Sequence, residues 1–426
     1  MSGSNKIPAG HLAPPSSGLA AALAKNWGPL FTNRLFRALW LANLASDFGY
    51  WMNSVGASWT MTELSISPLL NTCIQASTTL PMFILVLPSG ALADATDRSK
   101  LLYQVQAARG VFGLGIAVLA VSSWLSPHTL LLAVFLLGVA NAIDLPASQA
   151  ALSEVVDAED IPTVASLNNL SFNLGRALGP ALAGFLLGRV GAFPVFFLNA
   201  ASAFGLSVVY YRWHRAGGDK RKVSGPLNLA ARIREAFVRC LANPDFRGLL
   251  VRIIVVYFCT NAFWCLFPIY ARNVLHVGST GFGVMMGALG SGAVLAALSL
   301  PNLKRRFALD RLIVFAAFLF AASLGVLTFA SGRLAPVAVA LGLGVSYAML
   351  VSLFNATAQA MFPPEIRARA ISMYFICFYG VLAASSAIWG EIAEARGITF
   401  SLRIAAGLLV VTALSLLVWP SRSKSR

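Results

Sequence analysis

The sequence predicts an all-α membrane protein with 12 transmembrane helices, on three observations. Of its 426 residues, 58% are hydrophobic and only 11% are charged, whereas about a quarter of a soluble domain is charged. Apolar runs of about 20 residues, long enough to cross a bilayer core about 30 Å thick as a helix, recur along the chain. The basic residues gather in alternate connections between those runs. This composition excludes a soluble enzyme, a disordered chain and a disulfide-stapled secreted domain. Strands of a membrane barrel would be shorter and would alternate in polarity, which these runs do not.

Residues 1–30, rich in Gly, Pro, Ala and Ser, read as a mobile tail. The run Leu19–Leu23 is too short for a signal-peptide core, and Lys25 follows it. Spans are expected over 35–61, 68–93, 100–122, 128–152, 163–187 and 193–212, within a first bundle of residues 31–212. A polar basic linker, 213–247, comes next. In it Leu229, Ile233 and Phe237 share one helical face, while Arg232, Arg234 and Arg239 mostly point elsewhere. That pattern fits a basic amphipathic helix on an anionic leaflet, or else a solvated linker. The second bundle, 248–419, has spans over 248–273, 281–300, 312–331, 335–361, 367–389 and 398–419. Residues 420–426 form a basic tail.

The net charge is +16. Most basic residues fall on one side of this topology, among them Arg34, Arg37, Arg98, Lys100, the linker cluster, Lys304–Arg306, Arg311 and Arg367. The positive-inside rule places that side, and both termini, in the cytoplasm. The charge is thus a topology signal, and no nucleic-acid partner is expected. The five cysteines show no metal-ligand spacing and read as small apolar residues. No metal is expected. Neither a nucleotide-binding loop nor a zinc-protease helix motif is present, so the chain is not expected to be an enzyme or to hydrolyse ATP.

The two halves share landmarks. Asn33-x-x-Phe36-Arg37-x-Leu39 recurs 210 positions on as Asn243-x-x-Phe246-Arg247-x-Leu249, and Gln149-Ala150 recurs as Gln359-Ala360 at the same offset. At an offset of 206, Ser166, Gly184 and Gly191 match Ser372, Gly390 and Gly397. A constant offset suggests a parallel duplication, six helices plus six, with substrate between the halves near the midplane.

At this point the chain resembles the major facilitator superfamily. The segment after helix 2, with Gly90, Leu92, Asp94, Arg98 and Lys100, resembles that superfamily's loop signature G-x-L-x-D-R-x-G-R-R/K. Ala95 and Asp97 depart from it. Helix 5, with Gly175, Arg176, Gly179, Pro180 and Gly184, resembles the antiporter signature of its exporters, with Ser166 and Ala183 where Gly is usual. Segments Asn33–Trp59, Leu80–Leu102, Asp144–Gly184 and Asn355–Gly390 are more similar to the transmembrane secretion effector branch, which includes the enterobactin exporter and macrolide efflux pumps. That resemblance implies export driven by proton antiport, with no cofactor beyond the proton gradient. It also implies a monomer in a bacterial inner membrane. The branch often carries Ser-x-x-Gly-Asp in helix 1, but here Tyr50 stands at the usual acid and Asp47 lies one turn earlier.

Charges within spans each need a reason, because burying them in lipid is costly. Arg109 and Asp144 lie at similar depth, roughly 13 Å at 1.5 Å per residue. They can form either a fixed ion pair or a proton-sensitive relay. Asp47, near the midplane with Tyr50 on the same face, either binds a proton or a substrate cation or hydrogen-bonds a neighbouring helix. Arg176 shares a polar stripe with Asn169 and Asn173, suited to interhelical bonding or to an anion or phenolate contact. Gly90, Asp94 and Arg98 are expected to act as an electrostatic latch, against an ordinary charged turn. Gly175, Gly179, Pro180 and Gly184 have a packing meaning first, and the resemblance adds a seal against proton leak.

The resemblance also implies a cavity lined by helices 1, 4, 7 and 10. These offer Tyr50, Trp51, Asn53, Asn141, Tyr257, Asn261, Trp264, Tyr347, Asn355 and Gln359. Aromatic and amide groups suit an amphipathic organic compound, and they also serve as interface anchors or packing. The expected function is secondary-active efflux of a small siderophore-like or drug-like molecule. The alternatives are a nutrient importer of the same fold and a transporter-fold signalling or scaffold protein.

Overall fold

In a computed structural model the described residues are 33–122, 124–156, 158–217, 238, 240–332 and 334–418. They form long helices and no strands. The helices are α1 (Arg34–Leu64), α2 (Pro68–Ala95), α3 (Arg98–Val121), α4 (Pro127–Val155), α5 (Ile161–Arg189) and α6 (Phe193–Arg215). After them come α7 (Pro244–Asn273), α8 (Ser279–Arg306), α9 (Leu309–Leu327), α10 (Leu334–Ala360), α11 (Pro364–Arg396) and α12 (Ile398–Val418). The amphipathic helix expected at 229–239 and the tails 1–30 and 420–426 lie outside the described residues.

The chain is a multi-pass membrane protein, and ten of these helices are long and apolar enough to cross a membrane. α1 and α2 carry polar side chains along their length, among them Asp47, Asn53, Asn71, Gln75 and Thr78. Large apolar side chains such as Val111, Leu132, Leu298 and Val411 stay exposed on the outside, as lipid requires.

Several helices begin earlier or end later than their apolar runs, because polar caps sit beyond the lipid-matched stretch. Ser67, Asp97 and Ser126 cap α2, α3 and α4 with side-chain oxygens. The repeated asparagines do the same: Asn33 Oδ1 accepts from Phe36 N at 3.0 Å, and Asn243 Oδ1 from Phe246 N at 3.4 Å. Phe36 and Phe246 are then fully buried. The repeated glycines past α5 and α11 also match, Gly191 having φ 92° and Gly397 φ 93°. This left-handed conformation suits glycine at a helix end.

Within helices 1–6, α3 packs on α6 and α4, α2 on α4, and α1 on α5 and α6. Within helices 7–12, α10 packs on α8 and α9, α9 on α12, and α7 on α11 and α12. The broadest contacts across the two sets are α2 with α11 and α5 with α8. The largest apolar cluster centres on α7, where Phe263, Leu266 and Phe267 are buried, and extends to Met52, Val55 and Trp59 of α1.

Candidate functional site: a central cavity

Near the middle of the helices lies a cavity of about 290 Å³, lined by α1, α2, α4 and α5 on one side and α7, α10 and α11 on the other. Its walls are aromatic. Tyr50 and Trp51 meet edge to face at 5.6 Å, Trp51 and Phe172 at 5.5 Å, and Trp264 lies 5.0 Å from Tyr347. Asn53, Gln75, Thr78 and Asn141 add polar groups. Among the described lining residues the charged one is Arg176, whose guanidinium sits 5.6 Å from the Trp51 ring centre. Its Nε is buried without a hydrogen-bond partner, as are Trp51 Nε1, Trp264 Nε1 and Asn53 Oδ1.

A vestibule of about 610 Å³ adjoins this cavity, and the two share Val351 and Phe378. It runs along the later half of α10 and the early half of α11, toward the ends carrying Lys304 and Arg367. Asn355 and Gln359 line the vestibule and not the central cavity; Gln359 Nε2 donates to Asn355 Oδ1.

The opposite end is held shut by contacts across the two helix sets. Ser67 Oγ donates to Glu394 Oε2 at 2.7 Å, and Leu69 N donates to the same oxygen at 3.1 Å. Arg272 Nη1 donates to Thr62 Oγ1 at 3.3 Å, and Trp59 stacks on Phe282 at 5.3 Å. The vestibule therefore opens at the basic end while the far end is closed.

Three other in-span charges of helices 1–6, Asp47, Arg109 and Asp144, are tied to polar partners. Ser171 Oγ of α5 donates to Asp47 Oδ2 of α1. Arg109 and Asp144 approach to 3.9 Å, with Gln106 between them: it accepts from Arg109 Nη1 at 2.9 Å and donates to Asp144 Oδ1 at 2.8 Å. The pair expected from depth alone is thus a three-residue network.

The expected gating loop needs correction. α2 continues to Ala95, so Gly90 and Asp94 are helical and only Thr96–Asp97 connects α2 to α3. The Asp94 side chain lies outside the described residues. Arg98 opens α3, pairs with Glu154 at the end of α4, and donates through Nε to Ala93 O at 3.3 Å. Asp97 is the cap of α3. It accepts from Ser99 Oγ at 2.6 Å and Lys100 N at 3.0 Å, and lies 3.2 Å from His214 Nδ1. Partial burial pushes its carboxyl up, but these hydrogen bonds and His214 outweigh it and hold the carboxyl below the ordinary aspartate value.

The glycines of α5 divide between two neighbours. A Cβ on Gly175 would lie 3.0 Å from the Asp47 carbonyl carbon, and one on Gly179 would lie 3.0 Å from Trp51 Cβ, so both hold α5 against α1. A Cβ on Gly184 would lie 2.7 Å from Gly283 Cα, which holds α5 against α8 beside the buried Pro180. Its repeat partner Gly390 plays the same part between α11 and α2, where a Cβ would lie 3.0 Å from Leu69 Cα.

Of the ten expected cavity residues, Tyr50, Trp51, Asn53, Asn141, Trp264 and Tyr347 line the cavity. Tyr257 and Asn261 do not. α7 turns them inward onto α11, where Tyr257 Oη meets Tyr374 Oη at 3.1 Å and Asn261 Nδ2 donates to Leu382 O, Ser385 Oγ and Ser386 Oγ. Sequence reasoning missed the walls from α2 and α11, notably Gln75, Thr78 and Tyr379. Gln75-x-x-Thr78 at helical spacing in an apolar run was the available signal.

A sequence profile described as transmembrane secretion effector matches residues 24–424. The staphyloferrin A transporter of Staphylococcus aureus is 22% identical over 65% of this chain and 69% of its own length. The enterobactin exporter of Shigella flexneri is 27% identical over 64% of each chain. The matches thus span about two thirds of these curated relatives. Among solved structures, a bacterial homologue of the iron transporter ferroportin in an inward-facing state covers 91% of the chain with a TM-score of 0.73 at 14% identity, aligned over 99% of its own length. A nucleoside transporter covers 90% with a TM-score of 0.72 at 12% identity, over 98% of its length. At such identities the likeness concerns the fold.

Proposed function

The chain belongs to the transmembrane secretion effector family of major facilitator transporters, and from that premise we propose that it exports a small amphipathic organic compound across a bacterial inner membrane. In this reading twelve spans form two six-helix bundles, both termini are cytoplasmic, and the basic end of the vestibule faces the cytoplasm. The observation that carries it is a central cavity between the two helix sets that communicates with the basic end and is shut at the other. That is the cytoplasm-open state of an alternating-access cycle. Rocking at the α2–α11 and α5–α8 crossings would reverse it.

Proton antiport supplies the drive, and Asp47 is the proton carrier this reading favours. It is a carboxylate within a span, one turn from the cavity residue Tyr50, and its hydrogen bond from Ser171 reaches across to α5. A carboxyl that gains a proton releases the hydroxyl as an obligate donor, which couples protonation to the α1–α5 contact. A signalling protein would tolerate a collapsed cavity, whereas this one is open and lined by unpartnered donors.

The test compares metabolites retained by a deletion strain with those of the parent. It then follows efflux of a retained compound from vesicles containing the protein. Efflux is expected to stop when an uncoupler collapses the proton gradient. Undiminished efflux would remove proton coupling, and identical metabolite profiles would remove the exporter assignment.

A further inference from the structure

The charge on the cargo can be read from the cavity, on the reading that this chain is an exporter. Arg98 and Arg109 both have carboxylate company, in Glu154 and in Asp144 through Gln106. Arg176 differs. Among the described residues no carboxylate pairs with it, its Nε lacks a hydrogen-bond partner, and its contact is the face of Trp51. An unpaired guanidinium at mid-span is costly, and it lies in the wall of a cavity.

No Asp or Glu lines either the cavity or the vestibule among the described residues. Their charged residues are Lys304 and Arg367 toward the basic end and Arg176 inside. Asp47, the nearby carboxylate of α1, is engaged by Ser171 and does not line the cavity. Two further donors in the wall, Trp51 Nε1 and Trp264 Nε1, are also unpartnered. A cation entering here would meet like charge in a medium of low dielectric constant, and a neutral compound would leave the guanidinium unsatisfied. An anion is drawn in by the same field and completes the site.

We infer that the transported compound is an organic anion, its acidic oxygens seated on the Arg176 guanidinium and its aromatic body against the rings of Trp51 and Tyr347. Guanidinium and a planar carboxylate or phenolate group match in geometry as well as charge. Lys304 and Arg367 gather the anion at the mouth, and the aromatic walls select against small inorganic anions.

The test is calorimetric titration of the full-length protein in lipid nanodiscs at neutral pH with three probes of one shape: 2-naphthoate, 2-naphthamide and 2-naphthylmethylammonium. The naphthoate should bind about tenfold or more tighter than the amide, from a hydrogen bond to a charged group, and the ammonium should bind weakest. Arg176→Gln should lower naphthoate affinity until that variant binds naphthoate and amide equally, with a parental circular-dichroism spectrum and Tm showing that the variant is folded. Arg176→Lys should keep the preference for the anion. Equal binding of amide and naphthoate, a preference for the ammonium, binding of none of the three, or retained selectivity in Arg176→Gln would overturn the inference. Anion selectivity without gradient-driven efflux would overturn the exporter reading alone.

Discussion

Ser67 at the start of α2 and Glu394 near the end of α11 are joined by a 2.7 Å hydrogen bond across 327 residues of sequence. The same Glu394 oxygen accepts from Leu69 N, so a carboxylate from one helix set caps a helix of the other. The repeat offset of 206 aligns Glu394 with Gly188 of α5, where no side chain exists to cap α8, and Gly278 indeed begins α8 without a side-chain cap. The closed end is therefore held by a carboxylate latch at one crossing, while at the other the backbones close-pack beside a 3.4 Å hydrogen bond from Thr280 Oγ1 to Gly184 O.

Glu394→Ala should loosen that latch. With the native cysteines removed and Ser54→Cys placed in the cavity wall, a membrane-impermeant thiol reagent applied at the latched end should react about threefold to fivefold faster. The contact is solvent-exposed, so only a modest shift in population is expected. An unchanged labelling rate would mean that the latch does not hold the closed state.

Gly184→Val should separate α5 from α8, since even its Cβ would lie 2.7 Å from Gly283 Cα, backbone that cannot step aside. Overpacking of this kind costs about 1–3 kcal/mol, read as a lower Tm and as lost transport. Gly407→Ala is the control, because nothing lies within 4 Å of its added Cβ. Equal melting of the two variants would show that the α5–α8 crossing does not require glycine.

Asp47→Asn should abolish efflux driven by a pH gradient while leaving naphthoate affinity within about twofold of the parent, since Asp47 does not line the cavity. Gln106→Leu should instead lower stability by about 2 kcal/mol, because it removes hydrogen bonds to both Asp144 and Arg109. Wild-type coupling in Asp47→Asn would take that residue out of the proton path.

Asp97 sets a pH signature at the α2–α3 connection. Its folded carboxyl titrates below the ordinary aspartate value, so the unfolded chain takes up its proton first as pH falls. Its stabilisation is thus complete at neutral pH and is lost only on acidification through the folded value. Asp97→Asn should lower Tm slightly at neutral pH, and the difference should shrink as acid protonates the parent. A gap independent of pH would show that Asp97 acts through shape and not through charge.

How much of this was legible beforehand depends on the residue. Asn33 and Asn243 could be read as helix starts because capping is local, depending on a side chain and an amide three residues on. Gly191 and Gly397 likewise needed only their own backbone. Arg109 and Asp144 could be matched by depth, since rise per residue is constant, but Gln106 between them could not.

The sequence by itself determined where apolar helices lie, which end is basic and which charges break the apolar pattern. Each of these follows from composition along one helix and from the thickness of a bilayer. Tertiary structure alone decided what each polar side chain faces. Trp264 reaches the cavity while Asn261 and Tyr257, one and two turns earlier on α7, bond α11. Arg176 is left unpaired while Arg98 finds Glu154. In a helix apolar on nearly every face, the lipid, packed and cavity sides differ too little in hydrophobicity for a periodic pattern to tell them apart. Only the positions of the neighbouring helices distinguish them.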